Sequence, residues 1–288
     1  MTGEPRPVWQ VGAQLGEGPL WLPDEQALWF VDIKGGNIHR FDPATGLGES
    51  IATGGKPSFV VPIAGGGLLV GSGNSLHRLV DGRLGPPLAA LDEPAHNRTN
   101  DATVDGAGRL WFGTMDDDEQ VPTGQLYCFD RGMIRATGWQ AVVTNGPAIS
   151  GDGRTLYHVD SGERTIWRIS LDQGELAAHG EVFVRLGKDE GFTDGIVLDS
   201  EDCLWVALWD GWGVRRYAPD GELLLHIPFP CPRVTKVAFG GPDLRTGYAT
   251  TARTGLDDAA LAASPLAGSL FAFEAPAPGR TLPAVRLE

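Results

Sequence analysis

One repeated pattern limits what this chain can become. The segments "DEQALWFVD", "GGGLLVGS", "GAGRLWFGT", "GDGRTLYHVD", "SEDCLWVAL" and "PDLRTGYATT" each put a Gly/Asp-rich turn ahead of a short apolar or aromatic strand. Their equivalent residues are Trp29, Leu69, Trp111, Tyr157, Trp205 and Tyr248, so the pattern recurs at intervals of roughly 40 to 48 residues, the period of propeller blades. A second alternating strand follows each of them, from "GNIHRFDPATG" in the first copy to "GSLFAFEAPAPG" in the last. A sheet this short cannot bury its faces alone, and radial packing of six of them can. The expected class is therefore all-β, a six-bladed β-propeller, as one domain over residues 1–288.

Two details refine that expectation. The apolar "PVWQV" near the start should pair with the C-terminal strands, because an open ring leaves strand edges unpaired. Helical period is nearly absent, and only "LDDAALAAS" (256–264) has the pattern for a turn or two of helix.

Composition then excludes partners. A net charge of −14 disfavours nucleic acid and anionic membranes, which both demand basic footprints. No apolar run is long enough for a membrane span, and "MTGEPRPVWQ" lacks the basic and apolar regions of a signal peptide, so a cytoplasmic location is expected by default. No obligate protein partner is implied. Cys128, Cys203 and Cys231 are scattered and odd in number, which argues for reduced packing residues.

The functional signal lies 11 to 13 residues before each marker, at the entrance of the innermost strand. There stand Glu17, Ser58 (with Lys56 nearby), Asn100, Asn145, Asp194 and Thr235. Singly, Asn145-Gly146 and Asp194-Gly195 read as turn formers. A shared register reads as a polar ring at one end of the central channel. Convergent carboxylates repel unless a positive charge sits between them. Glu17, Asn145 and Asp194 form a hard oxygen set that balances a divalent ion and leaves coordination positions open, as a catalytic metal requires. Arg98 lies two residues before Asn100, so on an extended segment both face one way, and its rigid fork of donors suits hydroxyl or carbonyl oxygens. Asp101 and Asp105 are expected to hold turns, and the acidic "MDDDEQVPTG" (115–124) to be a solvated charge run near the pocket mouth.

The motifs "LGEGPLW", "NRTNDATVDGAGRLWFGTM", "TNGPAISGDGRTLYHVD", "TDGIVLDSEDCLWVA" and "FGGPDLRTGYATT" resemble the gluconolactonase/regucalcin family of sugar lactonases, with bacterial xylonolactonase-type enzymes the nearest in pattern. The resemblance runs from about Val11 to Leu256. It implies a six-bladed propeller, one divalent cation (Fe²⁺, Ca²⁺, Mn²⁺, Mg²⁺ or Zn²⁺) on Glu17, Asn145 and Asp194, substrate contacts from Arg98 and Asn100, and Asp194 as general base. The implied reaction is hydrolysis of aldono-lactones, pentonolactones slightly preferred. Two departures stand out. Thr193 replaces a usual proline before Asp194, and Gly247 replaces a large apolar residue.

Other chemistries lack their signatures. There is no Gly-x-Ser-x-Gly elbow, no His-Glu-x-x-His and no phosphate-binding Gly-rich loop, and the six histidines lack ligand spacing. Two rivals remain open. One is a calcium-binding regulatory propeller without turnover, and the other is a protein-interaction platform. Hydrolysis of phosphotriesters is conceivable as a side activity of the same metal.

Overall fold

A computed structural model describes residues 3–288; Met1 and Thr2, part of the stretch read for a signal peptide, lie outside the described residues. The architecture is a six-bladed β-propeller. Its innermost strands, in chain order, are Gly16–Leu22, Pro57–Pro62, Asn97–Val104, Thr144–Ile149, Phe192–Leu198 and Val234–Gly240. These define blades 1 to 6, and each inner strand packs beside those of the two neighbouring blades around the axis. Every marker residue sits on the second strand of its blade, as the repeat predicts.

The ring is closed as the N-terminal apolar stretch suggests. Arg6–Trp9 is the outermost strand of blade 6, antiparallel to Leu270–Glu274, with Arg6 opposite Ala272 and Trp9 opposite Leu270. Pairing first and last strands removes two edges and makes the sixth blade depend on both ends of the chain. The helical expectation is met by Asp258–Ala263, whose N-cap Asp257 accepts a hydrogen bond from the Ala260 N–H.

Burial follows from radial stacking. Inner strands meet neighbours on both faces and are buried almost throughout, while outer strands such as Leu47–Ala52 are mostly exposed. The Gly/Asp turns before the second strand carry an internal tie. Asp105 accepts from the Ala107 and Arg109 N–H groups, from Arg109 Nε and from Trp111 Nε1. Asp199 does the same work in blade 5, accepting from Glu201 N–H, Cys203 N–H, Trp205 Nε1 and Arg216 Nε. Asp105 is thus the turn holder that the sequence predicts. Gly247 is a packing feature, because an added Cβ would stand 2.3 to 2.7 Å from the Phe273 ring. All three cysteines are buried free thiols. No described helix is long and apolar enough to cross a membrane.

Candidate functional site

Each inner strand shifts its pairing register at the expected polar slot: between Glu17 and Leu20, Pro57 and Phe59, Thr99 and Ala102, Asn145 and Ala148, Thr193 and Ile196, and Val234 and Lys236. Bulges re-aim side chains and sharpen strand twist. Six bulges at one level therefore present polar groups that a regular ladder would alternate between faces. Asn145-Gly146 and Asp194-Gly195 lie on these strands and are not turns. Gly18 and Gly146 adopt left-handed φ angles of 53° and 67°, which a side chain rarely tolerates.

The six-membered ring is smaller than the register suggests. Ser58 Oγ lies 2.7 Å from Thr99 Oγ1 and donates to the Gly71 carbonyl. Thr235 Oγ1 lies 2.8 Å from Thr250 Oγ1 and donates to the Gly16 carbonyl. Both hydroxyls knit strands and blades together, since a short side chain reaches backbone before it reaches the axis. Glu17, Asn100, Asn145 and Asp194 remain, all at least nine-tenths buried.

Several of the expected site residues touch. Arg98 Nη1 donates to Asn100 Oδ1 at 2.6 Å, as their shared strand face predicts. Asn100 Nδ2 donates to the Thr144 carbonyl at 2.7 Å and to Asn145 Oδ1 at 3.1 Å, joining blades 3 and 4. Asn145 Nδ2 donates to Ser161 Oγ, which turns its amide oxygen toward Asn100. Glu17 Oε2 accepts from the Gly18 N–H at 2.8 Å. Neither Glu17 nor Asp194 has a salt bridge among the described residues, whereas Arg98 Nε pairs with Asp117 at 2.6 Å.

The electrostatics follow from that burial. Burial pushes the Glu17 carboxyl up to about 8, the Asp101 charge adds to it, and Lys236, the Gly18 N–H and Arg98 pull it back. Asp194 is held well above its ordinary value, first by burial, then by the charges of Glu17 and Asp101. Two buried carboxyls without a salt-bridge partner among the described residues fit a divalent cation by charge and by donor type.

Two acids outside the expected site set reach these residues. Asp101 follows Asn100 inside the bulge, is buried, and pairs with Lys236 Nζ from blade 6. Asp117, in the supposedly solvated acidic run, bridges Arg98 and the exposed Lys56. Only residues 118–122 are exposed there, while Asp116 is buried and accepts the N–H groups of Asp118, Gln120 and Val121. Reading the residue after each polar slot would have shown Asp101 and Lys236; nothing local in the sequence marks Asp117. At the rim, Thr193 Oγ1 is buried without a hydrogen-bond partner among the described residues, so the hydroxyl does not use the bonding that a proline would have denied it.

Two cavities flank these residues. An open pocket of about 520 Å³ is lined by Lys56, Arg98 and Asp117 with His96 and Asp118. An axial cavity of about 350 Å³ runs along the far halves of the inner strands, with Asp101 and Lys236 at its border. A separate cluster brings ligand atoms of Asp199, Glu201 and Cys203 within 4.8 Å of one another. Arg216 already donates to both acids there, which makes the cluster structural.

Residues 15–253 match the family model "SMP-30/Gluconolactonase/LRE-like region". The chain is 34% identical over 281 residues to a pentonolactonase of Haloferax volcanii, covering 95% of each chain. It is 35% identical over 271 residues to a 6-deoxy-6-sulfogluconolactonase of Pseudomonas putida, covering 92% of each. A crystal structure of a calcium-binding protein, regucalcin, from Agrobacterium tumefaciens superposes with a TM-score of 0.93 at 30% identity, covering 98% of this chain and 97% of that one. The chain belongs to the SMP-30/gluconolactonase family.

Proposed function

We propose that this protein is a divalent-cation-dependent sugar lactonase. The observation that carries the reading is the pair of buried acids Glu17 and Asp194, neither in a salt bridge among the described residues and close enough together for the Glu17 charge to raise Asp194, next to an Arg98 already fixed in position. The names of the relatives from Haloferax volcanii and Pseudomonas putida give the substrate class, and the former makes pentonolactones the first to test.

Glu17, Asn145 and Asp194 would hold the cation. Bound there, a divalent ion supplies positive charge that keeps both carboxyls ionised and Lewis acidity toward a lactone carbonyl. The remaining work falls to the chain. Arg98 has Nε on Asp117 and Nη1 on Asn100 and the Thr99 carbonyl, while its Nη2 makes no hydrogen bond among the described residues. That donor is preorganised for a ring or hydroxyl oxygen of the substrate, which lowers the entropy lost on binding. Asn100 fixes the other side of Arg98 and adds a polar contact. Asp194, as carboxylate, orients the attacking water and accepts its proton. Opening of the ring C–O bond then returns a proton to the alkoxide, and an aldonic acid leaves.

The test is a panel of sugar lactones assayed after chelation and after adding back single cations. Chelation should abolish turnover, add-back should restore it, and Asp194→Ala should lower kcat/KM by about a thousandfold or more. Near-normal turnover in that variant would overturn the assignment. Cation binding without opening of any lactone would favour the calcium-binding reading that the Agrobacterium tumefaciens relative's name offers.

A further inference from the structure

The residue after each polar slot follows a pattern of its own. In chain order these are Gly18, Phe59, Asp101, Gly146, Gly195 and Lys236. Three are glycine, and the two charged ones belong to blades 3 and 6, which stand opposite each other in the ring. Lys236 Nζ hydrogen-bonds Asp101 Oδ1 and approaches the Ala102 carbonyl, so the lysine side chain crosses the central channel. Both residues are buried, at 7% and 2% exposure. Gly195 makes room for the crossing. A Cβ on Gly195 would lie 2.7 Å from both Cβ and Cγ of Lys236, so the residue beside Asp194 must be glycine for the lysine stem to pass. Asp101 Oδ2 is buried and has no hydrogen-bond partner among the described residues. On one side of this bar lie the residues of the candidate site, and on the other lies the axial cavity, which Asp101 and Lys236 border.

We propose that the Lys236–Asp101 pair is a charge bar across the channel that sets the strength of cation binding beside it. The ammonium keeps Asp101 engaged as its own counterion, which limits the carboxylates offered to the ion to those of Glu17 and Asp194, beside the Asn145 amide. A third free carboxylate would bind the ion tightly and fill a coordination position that a substrate oxygen needs. The unpartnered Asp101 Oδ2 is the atom that would enter. Lys236 and Asp101 are positioning residues in this scheme, acting on the cation through charge.

This inference rests on the cation-site reading above, and affinity separates the two. Mn²⁺ and Ca²⁺ are titrated calorimetrically into the full-length chelated protein and three variants. At an effective dielectric of about 20, one unit charge within roughly 10 Å of a divalent ion changes affinity by more than tenfold. Lys236→Met should therefore tighten binding about tenfold or more, and Asp101→Asn should weaken it about tenfold or more. The double variant, which keeps the volume of the bar without its charge, should return to within about threefold of the parent. A purely structural bar predicts losses in both single variants, and that result, or equal affinity in all four proteins, would overturn the proposal. If Lys236→Met does not fold, Asp101→Asn and the double variant decide: recovery of affinity in the double supports the bar, and failure to recover overturns it. A parent protein that binds neither ion overturns the cation-site reading and this inference with it.

Discussion

Replacing Glu17 by glutamine exposes the cost of the buried acid directly. In the cation-free protein the carboxyl is raised from 4.5 to about 8. Each pKa unit corresponds to about 1.4 kcal/mol, so ionising this group in place costs on the order of 5 kcal/mol relative to the unfolded chain. The sign follows from proton counts. Between the two values the folded state holds a proton that the unfolded state has lost, so stability is greatest below pH 4.5 and falls as pH rises through 8. His39 and His158, both lowered to about 4 by burial, act in the opposite sense and only below their ordinary 6.5. The window from pH 6.5 to 8 is therefore the informative one, and there the Glu17 share is about 2 kcal/mol. Urea unfolding with chelator present, followed by the fluorescence of the buried Trp111 and Trp205, measures it. The parent should lose about 2 kcal/mol more than Glu17→Gln across that window, with the raised Asp194 adding a loss of the same sign to both. Cation at a thousandfold excess over its Kd should then stabilise the parent by about 4 kcal/mol and the variant far less. Glutamine can still accept the Gly18 N–H bond, so the comparison isolates charge. Parallel pH profiles, or an equal cation shift in both proteins, would refute the reasoning.

Two further outcomes test the frame around the site. Asp199→Ala strips Trp205, Arg216 and two backbone N–H groups of their acceptor and leaves Arg216 with only the exposed Glu201; thermal or urea unfolding should show a loss of about 3 kcal/mol, with lactone kcat/KM per folded molecule unchanged. A loss under about 1 kcal/mol would mean the turn does not depend on this carboxylate. Arg98→Lys removes the fork that grips Asp117 and Asn100 together; KM for the lactone should rise about tenfold with a smaller change in kcat, and KM within about twofold of the parent would remove Arg98 from substrate binding.

The sequence by itself determined the blade count, because the pairings that build a blade are local. Trp29 and Arg40, or Trp205 and Arg216, meet across hairpins of a dozen residues, and turn residues plus alternating strands specify such contacts. It also located the register shift of each inner strand, since one polar slot recurs 11 to 13 residues before each marker, and the contact between Arg98 and Asn100, which strand parity alone predicts. Only the tertiary structure decided which slot residues are taken up in ties between strands. Ser58 and Thr235 turn to neighbouring strands because their hydroxyls reach backbone and threonine oxygens first. It alone placed Asp101 and Lys236 together, 135 residues apart in sequence and on opposite blades. That contact exists only once the ring has closed on the strand Arg6–Trp9 and six bulges have turned consecutive residues inward. The physical reason is range. Hydrogen-bonded ladders are written in neighbouring residues, whereas charges in a channel interact across whatever distance the closed fold leaves between them.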